Sequence, residues 1–296
     1  MGKISLQALA LILAASLFAL VVFGCVVYAS EDNKNKLPVF VSIEPQAYFV
    51  ERIGGSRVSV DVLVHPGENP ATYTPTPAQM SKLAKAGIFF RIGVPFENIF
   101  MKKIQSTMKH VHIIDTRKGI KLRQMEGRRH HVDKGGNDPH IWLNPALVKQ
   151  QAETMLYALI ELDPEGKDEY TANYESFVKD LDALNKTIKK TLASVKGGNI
   201  LVFHPVLGYF TDAYGLRQIA IEVEGKAPKG RNIAILIKKA RQEDIRVIFI
   251  QPQFDRTSAR KIADAINGKL VLLDPLARDY LNNLESMARD IAAALQ

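Results

Sequence analysis

The feature that most constrains this chain is a helical pattern between residues 164 and 197 that is too long for one small domain. After a first turn that contains Pro164 and Gly166, no proline or glycine interrupts it before Gly197 and Gly198. About 30 helical residues would span roughly 45 Å, so the helix is predicted to cross between two domains. Apolar residues recur three or four positions apart, which predicts one buried face along the helix. They are Tyr170, Tyr174, Phe177, Leu181, Leu184 and Ile188.

Strand and helix patterns alternate on both sides of this segment. The strand-like runs before it are PVFVSI, VSVDVLV, IFFRIG and VHIID, and those after it are ILVFH, QIAIEVE, VIFIQ and LVLLD. Regular alternation of strands and helices is typical of parallel sheets covered by helices. We therefore predict an α/β fold in which two parallel-sheet lobes of βα repeats are joined by one long helix. Ligands bind such sheets at the carboxyl ends of the strands, so the residues that follow the strands are the candidates for a binding site.

The first residues have the pattern of an export signal. Lys3 precedes an apolar or small-residue run from Leu6 to Val22, and two processing points follow it. One lies after Ala29, and the other lies before Cys25 in a sequence that resembles a lipoprotein box. The run is also almost long enough to be an uncleaved membrane anchor. Export is predicted in each case, to the periplasm or to the outer face of the cytoplasmic membrane.

The predicted domain limits follow from these patterns. They are a signal segment 1–29 (or 1–24 with a lipidated cysteine), a first lobe 37–163, a linker helix 164–197 and a second lobe 198–296.

The composition excludes several kinds of binding site and partner. Cys25 is the only cysteine, which excludes an internal disulfide and a thiolate metal site in the mature domain. The net charge of +8 is spread along helical patterns rather than clustered with aromatic residues. Scattered basic residues indicate solvated helix faces, so we expect no nucleic-acid partner.

Chemically versatile side chains follow several predicted strands. His140 lies in NDPHIWLNP, His204 ends ILVFH, and Asp274 ends LVLLD. Each has a proline beside it, which stiffens the turn and reduces the entropy lost on binding. Two imidazoles and a carboxylate suit zinc or manganese. One such residue alone is more often structural, but three with the same local design favour a metal site.

At this point the chain resembles the exported metal-binding subunits (TroA/ZnuA-like) of zinc and manganese ABC importers. The resemblance covers residues 37–296 and rests on five motifs in order. They are PGENPATYTPTPAQM, NDPHIWLNP, VFHPVLGYF, IEVEGKAP and VLLDPLARD.

The resemblance implies a ligand cleft between the lobes and a metal bound in it, with His140, His204 and Asp274 as its ligands. A histidine at position 204 favours Zn²⁺, with Mn²⁺ as the other candidate. The implied partners are the membrane permease and the ATPase of an ABC importer, and we expect a monomer that catalyses no reaction.

The chain departs from the family pattern in the first motif. The family usually has a histidine ligand where this chain has Ala71. Without that histidine, the fourth coordination position is open to water or filled by another residue, or the site binds a different ligand. Glu68, three residues away, is a possible substitute ligand, and His65 at a strand end is a weaker candidate.

Two rival functions remain from the sequence. An open three-ligand zinc site is also found in hydrolases, but no HExxH pair or marked general base accompanies these residues. The stronger rival is a divergent binding protein that, because of Ala71, binds another small ligand or an anion.

Overall fold

The computed structural model describes residues 36–126, 136–222 and 230–296. The predicted export signal and Cys25 therefore lie outside the described residues. Within these three ranges, no helix is both long enough and apolar enough to cross a membrane.

The first sheet is formed by the first four strands, in the spatial order β2-β1-β3-β4. Their bounds are β1 Leu37–Ile43, β2 Val58–Val64, β3 Ile88–Arg91 and β4 His112–Asp115. The register of β1 and β3 is parallel and sets Val39 opposite Ile88. Three helices connect these strands: α1 Glu44–Gly54, α2 Pro77–Leu83 and α3 Pro95–Thr107. Central strand residues are buried on both faces, as in covered parallel sheets.

The second sheet repeats this design after the long helix, in the order β6-β5-β7-β8. Its strands are β5 Asn199–Val202, β6 Arg217–Ala220, β7 Val247–Ile250 and β8 Lys269–Leu272. The helices of this part are α6 Gly208–Tyr214, α7 Arg231–Gln242, α8 Arg256–Ala265 and α9 Tyr280–Leu295. The two parallel four-stranded sheets confirm the predicted α/β fold class.

Two consecutive helices join the sheets. The first, α4, extends over Pro145–Leu162, and the Asn144 side chain before it accepts from the Ala146 N–H at 3.0 Å. After a 3₁₀ turn at Pro164–Gly166, α5 extends over Lys167–Thr191. The predicted apolar face of α5 is buried except at Tyr174, which is half-buried. It packs against α1, α4 and α9.

The chain also returns to the first lobe after β8. The indole of Trp142 donates to the carbonyl of Pro275 at 2.8 Å, and the Tyr280 hydroxyl donates to the carbonyl of Trp142 at 2.7 Å. The partly exposed Arg278 forms an ion pair with the buried carboxylate of Glu44 at 2.7 Å. These contacts fasten the segment after Asp274 to the first lobe, so α5 is not the sole connection between the two halves.

Candidate metal centre

A cavity of about 290 Å³ lies where the carboxyl ends of the two sheets face each other. Both His140 and His204 line it, as do Ala71, Glu222 and Phe254. The cavity is therefore at the place predicted for a ligand cleft in parallel α/β lobes.

His140 lies on a short turn that Asp138 and Pro139 stabilise. Asp138 accepts from the His140 backbone N–H at 3.0 Å and contacts the ring Nδ1 at 2.7 Å, both through Oδ1. Pro139 between them restricts the backbone, and the 3₁₀ turn Ile141–Leu143 follows directly. The imidazole is thus fixed in position and orientation by the sequence Asp-Pro-His.

Three residues of the second lobe contact His204 and fix its position. Its ring Nδ1 lies 2.6 Å from Oε1 of Glu222, just beyond the end of β6. Its backbone N–H donates to the side chain of Gln251 at 3.3 Å, just beyond the end of β7. The ring of Phe254 stacks on the imidazole with 5.2 Å between ring centroids. Residues after β6 and β7, the two strands that flank β5, therefore converge on this histidine.

The two imidazoles are close together, with 5.3 Å between ring centroids and 80° between ring planes. Each Nδ1 is paired with a carboxylate, Asp138 for His140 and Glu222 for His204. A carboxylate on Nδ1 places the proton of a neutral imidazole there and leaves Nε2 as the free lone pair. This carboxylate–histidine arrangement is the one that supports metal-ligating histidines in proteins.

Burial favours the neutral form of His140. Desolvation lowers the pKa of this imidazole below its usual value, and the nearby His204 lowers it further. The carboxylate of Asp138 acts in the opposite direction but does not reverse the shift. Because only a neutral imidazole can bind a metal, the lowered pKa keeps His140 competent at neutral pH.

Asp274 lies at the edge of this site. Pro275 and Leu276 line the cavity, whereas Asp274 itself does not. Its Oδ1 accepts from the Leu276 N–H at 3.0 Å, which turns the carboxylate toward its own backbone. Its role as a third ligand stays a prediction.

Ala71 lines the cavity, but the two candidate replacements do not. Glu68 accepts from the backbone N–H of His65 at 2.8 Å, and the Glu68 N–H donates to the His65 carbonyl at 3.1 Å. The His65 ring lies 3.4 Å from the side-chain amide of Gln79. Both side chains are exposed at this turn, so their part in metal binding also stays a prediction.

Among the side chains that the structure describes, no group of three His, Cys, Asp or Glu residues is close enough to hold a metal. The sequence-predicted pair His140 and His204 is brought together. Two further members of the site, Asp138 and Glu222, did not stand out as functional residues in the sequence. Asp138 precedes His140 by two residues, and Glu222 lies in the motif IEVEGKAP, so both were within quoted motifs.

Two parallel-sheet lobes, a long connecting helix and a cleft between the lobes define a two-lobed solute-binding protein. The family model described as "Zinc-uptake complex component A periplasmic" matches residues 39–294. The chain therefore belongs to this family of substrate-binding transport proteins.

The relatives of this chain include both zinc and manganese proteins. The "High-affinity zinc uptake system protein ZnuA" of Bacillus subtilis is 23% identical over 273 residues, covering 88% of this chain and 83% of the relative. The "Manganese-binding lipoprotein MntA" of Halalkalibacterium halodurans is 25% identical over 246 residues, covering 81% and 79% respectively.

Solved structures agree with this assignment. A crystal structure of ZnuA superposes with a TM-score of 0.83 at 39% identity, covering 88% of this chain and 100% of that one. The periplasmic zinc-binding protein TroA from Treponema pallidum gives a TM-score of 0.78 at 20% identity, covering 88% and 99% respectively, which supports the fold alone.

Proposed function

We propose that this chain is an exported solute-binding protein that captures a divalent transition metal, with Zn²⁺ preferred and Mn²⁺ as the second candidate. The observation that carries this proposal is the pair of imidazoles of His140 and His204, whose ring centroids lie 5.3 Å apart in one cleft. The Nδ1 atom of each ring is hydrogen-bonded to a carboxylate. The metal is the cargo, released unchanged to a membrane permease powered by an ATPase.

The donor set favours zinc. Imidazole nitrogen and carboxylate oxygen are common zinc ligands, and zinc accepts an incomplete protein shell finished by water. Asp274 is the proposed third ligand, because its neighbours Pro275 and Leu276 already line the cavity. It would have to release the Leu276 N–H and turn into the cleft. Glu68 is the reserve candidate beside Ala71, and His65 is the weakest of the set.

The rest of the proposal concerns the chain as a whole. We propose export to the periplasm or attachment at the outer face of the cytoplasmic membrane, through cleavage of 1–29 or lipidation at Cys25. The lobes are proposed to extend over 37–163 and 198–296, with 164–197 between them. The relatives' names describe uptake-system and metal-binding proteins, which supports permease and ATPase partners. We further propose a monomer that catalyses no reaction and has no nucleic-acid partner.

The alternative of another small ligand or an anion is not favoured. Two imidazoles supported by carboxylates, that of His140 buried and that of His204 half-buried, provide lone pairs toward the cleft, which suit a cation. The carboxylates of Glu222 and Asp138 beside them would oppose a bound anion.

The experiment is metal analysis of the purified protein followed by titration with Zn²⁺ and Mn²⁺. We expect one equivalent of zinc, bound more tightly than manganese, and loss of most of that affinity in His140→Ala and in His204→Ala. His112→Ala is the matched control, because His112 is an exposed histidine at the start of β4. Binding of neither metal by the wild type, or unchanged binding after both substitutions, would contradict the proposal.

A separate variant tests Asp274 as the third ligand. Asp274→Asn keeps an oxygen that can accept from the Leu276 N–H but removes the negative charge. Weaker zinc binding with unchanged stability is expected if the carboxylate coordinates the metal, and unchanged affinity would remove Asp274 from the ligand set.

A further inference from the structure

Arg123 lies at the centre of a cluster of carboxylates beside the cleft. Its guanidinium contacts Glu126 at 2.6 Å, Asp212 at 3.2 Å and Asp138 at 3.4 Å. Arg123 follows the last strand of the first sheet, whereas Asp212 is on α6 of the second lobe. The guanidinium therefore joins the two lobes next to the candidate metal centre.

Asp138 connects this cluster to a candidate ligand. Its Oδ1 holds the backbone and ring of His140, and its Oδ2 faces Nη1 of Arg123. The side chain of Asp138 is fully buried. A buried carboxylate needs a compensating charge, and Arg123 is the cation that contacts it.

Tyr209 of α6 reinforces the same link from the second lobe. Its hydroxyl donates to the carbonyl of Asp138 at 3.1 Å and accepts from the backbone N–H of Arg123 at 2.9 Å. The guanidinium also lies over the Tyr209 ring, 5.9 Å from its centroid. Both ends of the Arg123–Asp138 contact are thus tied to α6.

The first residue of α6 leaves room for this arrangement. A Cβ atom at Gly208 would overlap Nη1 of Arg123 and would lie 2.8 Å from Oδ2 of Asp138. A side chain at position 208 would therefore displace the Arg123 guanidinium from the place where it meets Asp138.

We propose that Arg123 is a positioning residue for metal capture, which fixes the orientation of His140 through Asp138 and ties that orientation to α6 of the second lobe. This inference rests on the proposed function, since it assigns a role within the same site. Arginine suits the role because its planar fork can contact several carboxylates at once, whereas lysine provides one compact charge.

The test is a double-mutant cycle on zinc affinity between Arg123→Lys and Asp138→Asn. Zinc affinity is measured by competition with a chromophoric chelator. Supporting groups behind metal ligands typically contribute about 10–100-fold in affinity, so Arg123→Lys alone should raise the zinc Kd about tenfold. In the Asp138→Asn background the same change should cost less than about twofold, because the residue through which Arg123 acts is already altered. Equal losses in both backgrounds would overturn the proposal.

Gly208→Ala is the second variant, since it displaces the guanidinium without removing it, and it should reproduce the loss seen with Arg123→Lys. Arg246→Lys is the matched control, because Arg246 forms an exposed ion pair with Asp244 at 3.0 Å, at the opposite end of the second sheet. Normal affinity in Gly208→Ala with the guanidinium displaced would contradict the proposal.

A readout without metal separates this inference from the proposed function. In the metal-free protein, ¹⁵N NMR signals of the His140 ring report its tautomer and its hydrogen bond to Asp138. They should change in Arg123→Lys and not in Arg246→Lys. Absence of zinc binding by the wild type would overturn the proposed function, while an unchanged His140 signal in Arg123→Lys would overturn the role of Arg123.

Discussion

The ring Nδ1 of His204 lies 2.6 Å from Oε1 of Glu222, and this carboxylate is almost fully buried. A hydrogen bond of this length to a carboxylate fixes the orientation and the tautomer of the imidazole, with the proton on Nδ1 and the lone pair on Nε2. Glu222 thus acts on the cleft through His204, as Asp138 acts through His140.

The first prediction concerns this carboxylate. Glu222→Gln keeps the shape and an acceptor oxygen but removes the charge, so zinc should bind about tenfold more weakly. The affinity is measured by chelator competition at pH 7.5. Glu243→Gln is the matched control, since Glu243 is exposed and accepts from the Asn199 side chain away from the cleft. Equal affinity in both variants would show that Glu222 does not support the site.

The second prediction concerns pH and stability. The folded state holds the pKa of His140 below its usual value of about 6.5, which the unfolded chain retains. Below about pH 6.5 the unfolded chain therefore binds more protons than the folded one, and the free energy of unfolding falls as the pH falls. The loss ends once the pH drops below the pKa of the folded state.

Urea unfolding of the metal-free protein between pH 7.5 and 5 measures this dependence. His140→Gln should flatten it, whereas His112→Gln, at an exposed position, should not. An unchanged profile in His140→Gln would show that this imidazole does not contribute. With zinc present, capture should weaken as the pH falls below about 6, because protons compete for the imidazoles.

Much of the site could be predicted from the sequence because the strand ends of parallel sheets determine where the backbone lies. His204 follows β5 and His140 follows a rigid Asp-Pro turn, and the fold brings both to the cleft. Once each Nδ1 is hydrogen-bonded to a carboxylate, the two imidazoles have few other orientations.

Side-chain direction was less predictable, because a short polar side chain can turn to a nearby backbone donor. Asp274 bonds the N–H two residues ahead, and Glu68 bonds the N–H three residues behind. Such local bonds compete with long-range ones, and neither the strand pattern nor the motif spacing reveals which one forms. The pairing of Glu222 with His204 was equally hidden, because it depends on the adjacency of β5 and β6.

The third prediction concerns the contact that fastens the end of the second lobe to the first. Tyr280→Phe removes the hydroxyl that donates to the buried carbonyl of Trp142. An unsatisfied buried acceptor costs about 1–3 kcal/mol, so the free energy of unfolding should fall by about that amount. Urea denaturation measures it, with Tyr157→Phe as the control because Tyr157 is 63% exposed. A loss as small as that of the control would contradict the assigned hydrogen bond.

The fourth prediction concerns Ala71, which lines the cavity that also contains His140 and His204. Ala71→His adds an imidazole at a position that already faces the cleft, so zinc should bind at least about tenfold more tightly. The physical reason is that a protein ligand replaces water, and its position is partly fixed before the metal arrives. Titration of both proteins against a chelator of matched affinity measures the gain.

Glu68→Gln separates the added ligand from the natural loop. The Glu68 carboxylate is bonded to the His65 N–H, and glutamine can still accept that bond. If Glu68 stays in this turn when zinc binds, Glu68→Gln should leave the affinity of the wild type and of Ala71→His unchanged. If it moves to the metal as a substitute ligand, Glu68→Gln should weaken the wild type and affect Ala71→His much less, because the new histidine then fills the same position. If Ala71→His binds zinc no more tightly than the wild type, this loop does not reach the metal.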